Sequence, residues 1–397
     1  MAGLFARLLR RAGPEAGPAE RRAFTPPAGL IAWSSPGRPA WSGRDYAAFA
    51  REGYQGNAIA HRCVRLVCEA VAATPLALYE GDSELERHPL LELLERPNPH
   101  QDGVTLIETV CGQLLVAGNA YLHAIMPGGA PRELHALRPD RVRVMPGEDG
   151  WPSAWEYAAG GRTVRFLRGQ GVVSPVLHLR QFHPTDDYYG LSSMEAAARA
   201  LDLHNAASAW NKALLDNAAR PSGALVYAGP QGSSLTDAQF ERLRAEMETQ
   251  FQGVANAGRP LLLEGGLDWK PLSLSPKDMD FTEARAAAAR EIALALGVPP
   301  LLLGLPGDNT YGNYAEANRA FWRQTVLPLA RRIAAGIACW LGPAWGQTLR
   351  LAPDADAIEA LASEREALWR KVSAATFLSD DEKRAAVGYG VRSKNRT

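Results

Sequence analysis

The residues that could carry out chemistry are few and do not converge. Asp186 and Asp187 follow His183 in HPTDDYYG, a set that could in principle close around a metal ion. Two adjacent carboxylates on a turn equally serve as a solvated loop or a helix entry, and this is the reading their spacing favours; no metal is expected. A nucleotide-driven motor needs G-x-x-x-x-G-K-[ST] after a strand, a serine hydrolase needs a G-x-S-x-G elbow and a zinc protease needs H-E-x-x-H. The chain contains none of these. Its histidines are dispersed, and Cys63, Cys68, Cys111 and Cys339 follow neither a ligand nor a disulfide spacing, so all four read as buried thiols of a reducing compartment. No cofactor is implied, and an enzyme is not expected.

What remains is a set of polar and charged side chains on particular segments. GLPGDNTYGNY offers one acid, Asp308, beside Asn309, Thr310 and Tyr311; taken alone, it is a solvent-exposed connector. TEARAAAAREIALALG carries Glu283, Arg285, Arg290 and Glu291. LTDAQFERLRAEMETQFQG carries Gln239, Arg242 and Glu246 on a helix that Thr236 opens, with Leu235 and Phe240 placed to staple its start. Lysine plus arginine total 43 and aspartate plus glutamate total 43, so the formal charge is zero. That balance argues against a protein that grips nucleic acid through a bulk positive field. The basic start MAGLFARLLRRAG lacks the apolar run and cleavage site of a signal peptide. The longest apolar stretches are broken at Gly118-Asn119, Arg290-Glu291 and Pro299-Pro300, short of the roughly 18 residues a membrane span needs.

The elements that must position these residues follow from periodicity and punctuation. Six prolines between Pro14 and Pro39 predict an arm, with ordered structure starting near Tyr54. Ile59, Cys63, Val67 and Val71 predict a helix feeding a strand at PLALYEG. A second helix is expected over 103–117, ended by Gly118-Asn119, before the strand AYLHAIM. The runs RVRVM, AWEYAA, RTVRFL and VLHLRQF predict a small β-rich unit. SSMEAAARALDLHNAASAWNKALLDNAA predicts a long helix with an apolar stripe of Leu203, Ala207, Trp210 and Leu214. A β-α-β insertion over 221–276, closed by a hairpin at Gly265-Gly266, separates it from the helix that Gly297 and Pro299-Pro300 terminate. A helix from Tyr314 to Leu341 should kink at Pro328, and the chain should end in charged helices broken near Phe377 to Ser379. The fold class is α+β.

The order of these parts and seven short motifs resemble the portal proteins of long-tailed phages and gene transfer agents. The motifs are RPNP at Arg96, LLVAGNAYL at Leu114, LHALRPDRVRV at Leu134, VLHLRQF with its downstream YGLSSMEAA, ARPSGAL at Ala219, RPLLLEGGLDWKPL at Arg259 and REIALALGVPPLLLG at Arg290. They span about residues 54–341. The resemblance implies an arm over 1–53, a wing over 54–191, stem helices over 192–220 and 277–304, and a clip over 221–276. It further implies a tunnel loop over 305–313, a kinked wing helix over 314–352 and a short crown over 353–397.

The resemblance also implies a ring of twelve copies at one capsid vertex, through which double-stranded DNA passes without sequence readout. Asp308, Asn309, Thr310 and Tyr311 would then project into the channel, and Glu283, Arg285 and Arg290 would line the stem. Gln239, Arg242 and Glu246 would lie on the clip, which meets the terminase large subunit and then head-tail adaptors, while the major capsid protein surrounds the ring. Composition, length and the short crown lean toward the gene transfer agent branch. The rival readings are a DNA-acting enzyme, which lacks its motifs, and another head-completion protein or adaptor, which has no need of the helix, β-α-β, helix, Pro-Pro, polar loop, kinked helix series.

Overall fold

The computed structural model describes residues 43, 45–81, 83–169, 171–216, 223–227, 236, 238, 241–242, 267–271, 281–305 and 311–387. All of them belong to one compact unit, residues 41–397. The proline-rich stretch expected to form an arm, the Leu235–Phe240 staple, the Gly265-Gly266 turn and the final SKNRT lie outside the described residues.

Helical structure starts earlier than the sequence suggested. α1 (Tyr46–Ala48) is capped by the Asp45 side chain and runs into a π-helical stretch, Phe49–Gln55. Phe49 is buried, and Gly53 lies so close to Met194 that an added Cβ would sit 3.1 Å from its sulfur. Packing, not propensity, therefore orders this segment, which is why a reading from local composition placed the start too late. Asn57 then caps α2 (Ala58–Ala72), its Oδ1 accepting from the N–H groups of Ile59 and Ala60. The four-residue rhythm of Cys63, Val67 and Val71 is buried as expected, and β1 (Leu76–Glu80) and the short β2 (Ser83–Glu84) follow.

α3 (Pro89–Glu95) precedes α4 (Gly103–Ala117), which Asp102 caps and Gly118 ends in the left-handed region at φ 71°. Two three-stranded antiparallel sheets come next. One orders β4 (Glu133–Leu137), β3 (Asn119–Ile125) and β8 (Val176–Arg180); the other orders β5 (Val142–Pro146), β6 (Pro152–Ala159) and β7 (Arg162–Leu167). Tyr121, Leu137, Val142, Val144, Trp155 and Val176 form a small core between them. The larger core joins α2 and α4 to the helices that follow.

Those helices are α5 (Ser193–Ala196), α6 (Ala198–Asp216) and α7 (Phe281–Ala295). Between α6 and α7, β9 (Gly223–Tyr227) pairs antiparallel with β10 (Leu267–Pro271), Leu267 opposite Tyr227. The apolar stripe expected on α6 is corrected. Leu203 and Trp210 are 47% and 41% exposed, and the buried face is Leu201, His204 and Ala207. α6 turns toward the core the face that meets α7 and the π-helical stretch Phe49–Gln55, including His204, which a hydropathy pattern counts as polar and which bonds Asn57.

α8 (Tyr311–Phe321) begins inside the segment expected to be a loop, so Tyr311, Gly312 and Asn313 are helical. Ahead of Pro328, where a kink was expected, lies a π-helical stretch, Trp322–Val326, from which the Leu327 N–H reaches back to the Trp322 carbonyl. α9 (Leu327–Leu341) continues from it through helical dihedrals at Val326 and Leu327, and Pro328, which has no N–H to offer the turn behind it, stands just past the π-helical stretch. The region assigned wholly to a kinked helix over 314–352 also holds a strand. β11 (Leu349–Pro353) pairs antiparallel with β1, Leu351 opposite Leu78, a contact made by packing across the length of the chain. α10 (Ala362–Ala374) and α11 (Asp380–Ala386) close the described chain, with a capping box between Ser379 and Glu382 at the expected break. Cys63, Cys68 and Cys111 are buried, but Cys339 is exposed on the outer side of α9.

Candidate functional site

The motifs that stood apart in sequence meet in space. At the end of α4, a Cβ on Gly118 would lie 2.3 Å from the Gly190 carbonyl oxygen, and a Cβ on Gly190 would lie 2.2 Å from that of Gly118. Two backbones therefore cross where no side chain fits. Asn119 ties the crossing: its Oδ1 accepts from the Gly190 N–H at 2.8 Å, and its Nδ2 donates to the Ala117 and Gly190 carbonyls. Ser192 Oγ donates to the carbonyls of Leu115 and Val116 and caps α5. GNAY and YGLSS are thus two halves of one joint that sets where α6 leaves the body.

Two further motifs form joints. Asn98 of RPNP donates from Nδ2 to the Leu134 carbonyl and accepts from the N–H groups of His100 and Gln101. Gly297 of GVPP is left-handed at φ 68°, and its carbonyl accepts from Thr325 Oγ1 at 2.6 Å. The end of α7 is thereby fastened to the π-helical stretch ahead of Pro328.

α6 and α7 pack against each other, with α7 burying Ala288, Ala289, Ile292 and Ala293. On its opposite side Glu283, Ala287, Arg290 and Leu294, spaced four, three and four, are exposed, Leu294 to 79%. Arg285 stands apart from that line. Burial lowers the pKa of His204 on α6, and the positive charge of Arg285 lowers it further. Of the three residues expected to line the stem, Glu283 and Arg290 share a face and Arg285 acts on the neighbouring helix. Arg242 is exposed; Gln239, Glu246, Asp308, Asn309 and Thr310 lie outside the described residues. Tyr311 is the first residue of α8 rather than a loop residue.

Asp186 behaves as a turn residue. Burial raises its carboxyl, but bonds from the N–H groups of Tyr189 and Tyr188 outweigh that and hold it below the ordinary range. No group of three or more histidine, cysteine, aspartate or glutamate side chains is placed to hold a metal among the described residues. No helix there is long and apolar enough to cross a membrane. The residues that sequence reasoning missed are exposed and apolar: Leu203 and Trp210 read as core positions, and the pattern does not single out Leu294, because one sequence gives the period of a stripe but not which surface covers it.

Among curated proteins, a protein of Rickettsia bellii is 41% identical over 339 residues, 85% of this chain and 88% of its own length. A chain from the neck of an empty gene transfer agent particle, computed with C6 symmetry, is 56% identical; the alignment covers 90% of this chain and 96% of that one, with a TM-score of 0.70. One from the neck of the native particle, computed with C12 symmetry, is 55% identical with the same coverage and a TM-score of 0.68. A family model described as phage portal protein matches residues 58–388, a span that takes in every joint described above. That match covers most of the chain, and the chain belongs to the phage portal protein family.

Proposed function

We propose that this chain is the portal subunit in the neck of a gene transfer agent or phage particle, where copies close into a ring around a channel for double-stranded DNA. The observation that carries this reading is the 55% identity, over 96% of its length, to a chain in a neck with C12 symmetry. A heterologous contact repeated by rotation closes into such a ring. In this reading residues 54–191 form the wing, α6 and α7 the stem, 221–276 the clip, and the C-terminal helices the crown. The loop between Leu305 and Tyr311 carries Asp308, Asn309 and Thr310 into the channel, with α8 starting directly behind it. The clip, with Gln239, Arg242 and Glu246, takes the terminase motor during filling and adaptors afterwards, while the capsid protein holds the wing.

The charge pattern supports passage over grip. Duplex DNA carries one negative charge per about 1.7 Å of axis, so a wall of lysine and arginine would hold it. The outer line of α7 instead carries one acid and one base, Glu283 and Arg290, with Ala287 and Leu294. The test is the mass and negative-stain shape of the purified chain over a range of concentration and salt. Rings of about twelve copies with a central hole are expected, the symmetry of the native-particle neck. A strict monomer that cleaves DNA in the presence of a metal or nucleotide would overturn the proposal.

A further inference from the structure

α10 is a helix of 13 residues with no buried residue and no side-chain cap. A helix of that length is marginal in water unless something packs on it. Its ties to the body lie in its first turn: Arg319 with Ser363, Arg323 with Glu364 at 3.1 Å, and Arg365 with Asp356. Beyond them Leu368 is 45% exposed, and Phe377, in the turn to α11, is 85% exposed. The same stretch is electrically two-ended. Arg370 and Lys371 close α10, and Asp380 and Asp381 open α11 one turn ahead of Lys383 and Arg384; the first four are exposed, and none of them makes an ion pair among the described residues.

We infer that this C-terminal pair of helices is an interface for a second copy of the chain: Leu368 and Phe377 pack against the adjacent copy, and Arg370 and Lys371 of one copy meet Asp380 and Asp381 of the next. The inference rests on the ring reading above and names one of its contacts. A second copy fits better than another partner because one chain carries both halves of the contact at different places. A surface with a basic end and an acidic end cannot satisfy both by pairing with an unrelated neutral surface. It does so head to tail, the heterologous geometry that rotation closes into a belt. Apolar cover for Leu368 then comes with the charge match that selects the register.

Amide exchange over residues 362–386, measured on the monomer and ring fractions of one preparation, tests this directly. Exchange beyond Arg365 is expected to slow by about tenfold or more in the ring relative to the monomer. The double variant Arg370→Glu/Lys371→Glu is expected to lose that protection and to lower the ring fraction. Adding Asp380→Lys/Asp381→Lys to it should restore both. Helix-dipole effects alone would make the fourfold variant the worst of the three, since it places acids at a C-terminus and bases at an N-terminus. Equal exchange in monomer and ring, or a fourfold variant worse than the double, would overturn the inference, as would protection that appears only when a different particle protein is added. Wild-type chain that forms no rings under any condition would instead overturn the ring reading itself.

Discussion

A histidine held neutral by its surroundings makes folding sensitive to acid. His178 stacks on Tyr121 with ring centroids 4.3 Å apart, and its Nε2–H donates to Asn119 Oδ1 at 3.0 Å. The amide orientation of Asn119 is fixed by the network, because the same oxygen accepts from Gly190 N–H while the nitrogen faces two carbonyls. Burial, and then the charge of Arg180, lower the His178 pKa from 6.5 to about 3. Below the ordinary value the unfolded chain takes up a proton that the folded chain refuses. This contribution to stability is therefore intact above about pH 6.5 and drains away as pH falls toward about 3, at up to about 1.4 kcal/mol per pH unit. The melting temperature should fall across that window, and His178→Gln should flatten the fall while costing some stability at neutral pH. Parallel curves for the two proteins would mean that other groups carry the acid sensitivity. VLHLRQF declares a strand in sequence, but its histidine's role depends on a tyrosine and an asparagine brought alongside by pairing of β3 with β8, which local sequence does not encode.

At the scale of elements, what the sequence made legible was local chemistry. Gly118 ended α4, Gly297 and Pro299-Pro300 ended α7, and the break near Phe377 to Ser379 fell ahead of α11, because each signal acts within one turn of its own residue. What it hid was made by distant partners: the strand β11, the buried face of α6, and the helical start at Tyr46. The extension of α8 back to Tyr311 was hidden for another reason. Glycine and asparagine in YGNY are loop-formers by propensity, and the helix overrides them. Two alanine substitutions separate these cases. Gly190→Ala would push a Cβ to 2.2 Å from the Gly118 carbonyl with backbone on every side, and should cost about 3 kcal/mol. Gly312→Ala meets nothing within 4 Å in a helical position, and should gain up to about 1 kcal/mol. Urea unfolding of the two variants measures both. A Gly312→Ala protein no more stable than the parent would return residues 311–313 to the loop.

For the whole molecule, seven motifs in a fixed order declared the family more firmly than any one of them, and the joints described among them are spread from Asn98 to Thr325. Their order says nothing about how strongly a ring would hold DNA, and here the charge balance decides. Each phosphate a protein neutralises adds about 0.9 to the slope of log affinity against log salt, and a repressor that grips its operator reaches about 10. A chain with 43 basic and 43 acidic residues gives a ring no net charge to draw DNA from a distance, so in the proposed channel the local charges at the wall decide the grip. Rings of the wild-type chain should therefore bind duplex DNA weakly, with a slope below about 5. Glu283→Lys converts the exposed line of α7 from mixed to basic without touching its buried face. If that line faces the channel, the variant ring should show a steeper slope and higher duplex retention at unchanged ring yield. A changed ring yield with an unchanged slope would instead put the line between neighbouring copies, with Leu294 as part of the same contact, and the channel wall would then belong to the other side of the α6–α7 pair.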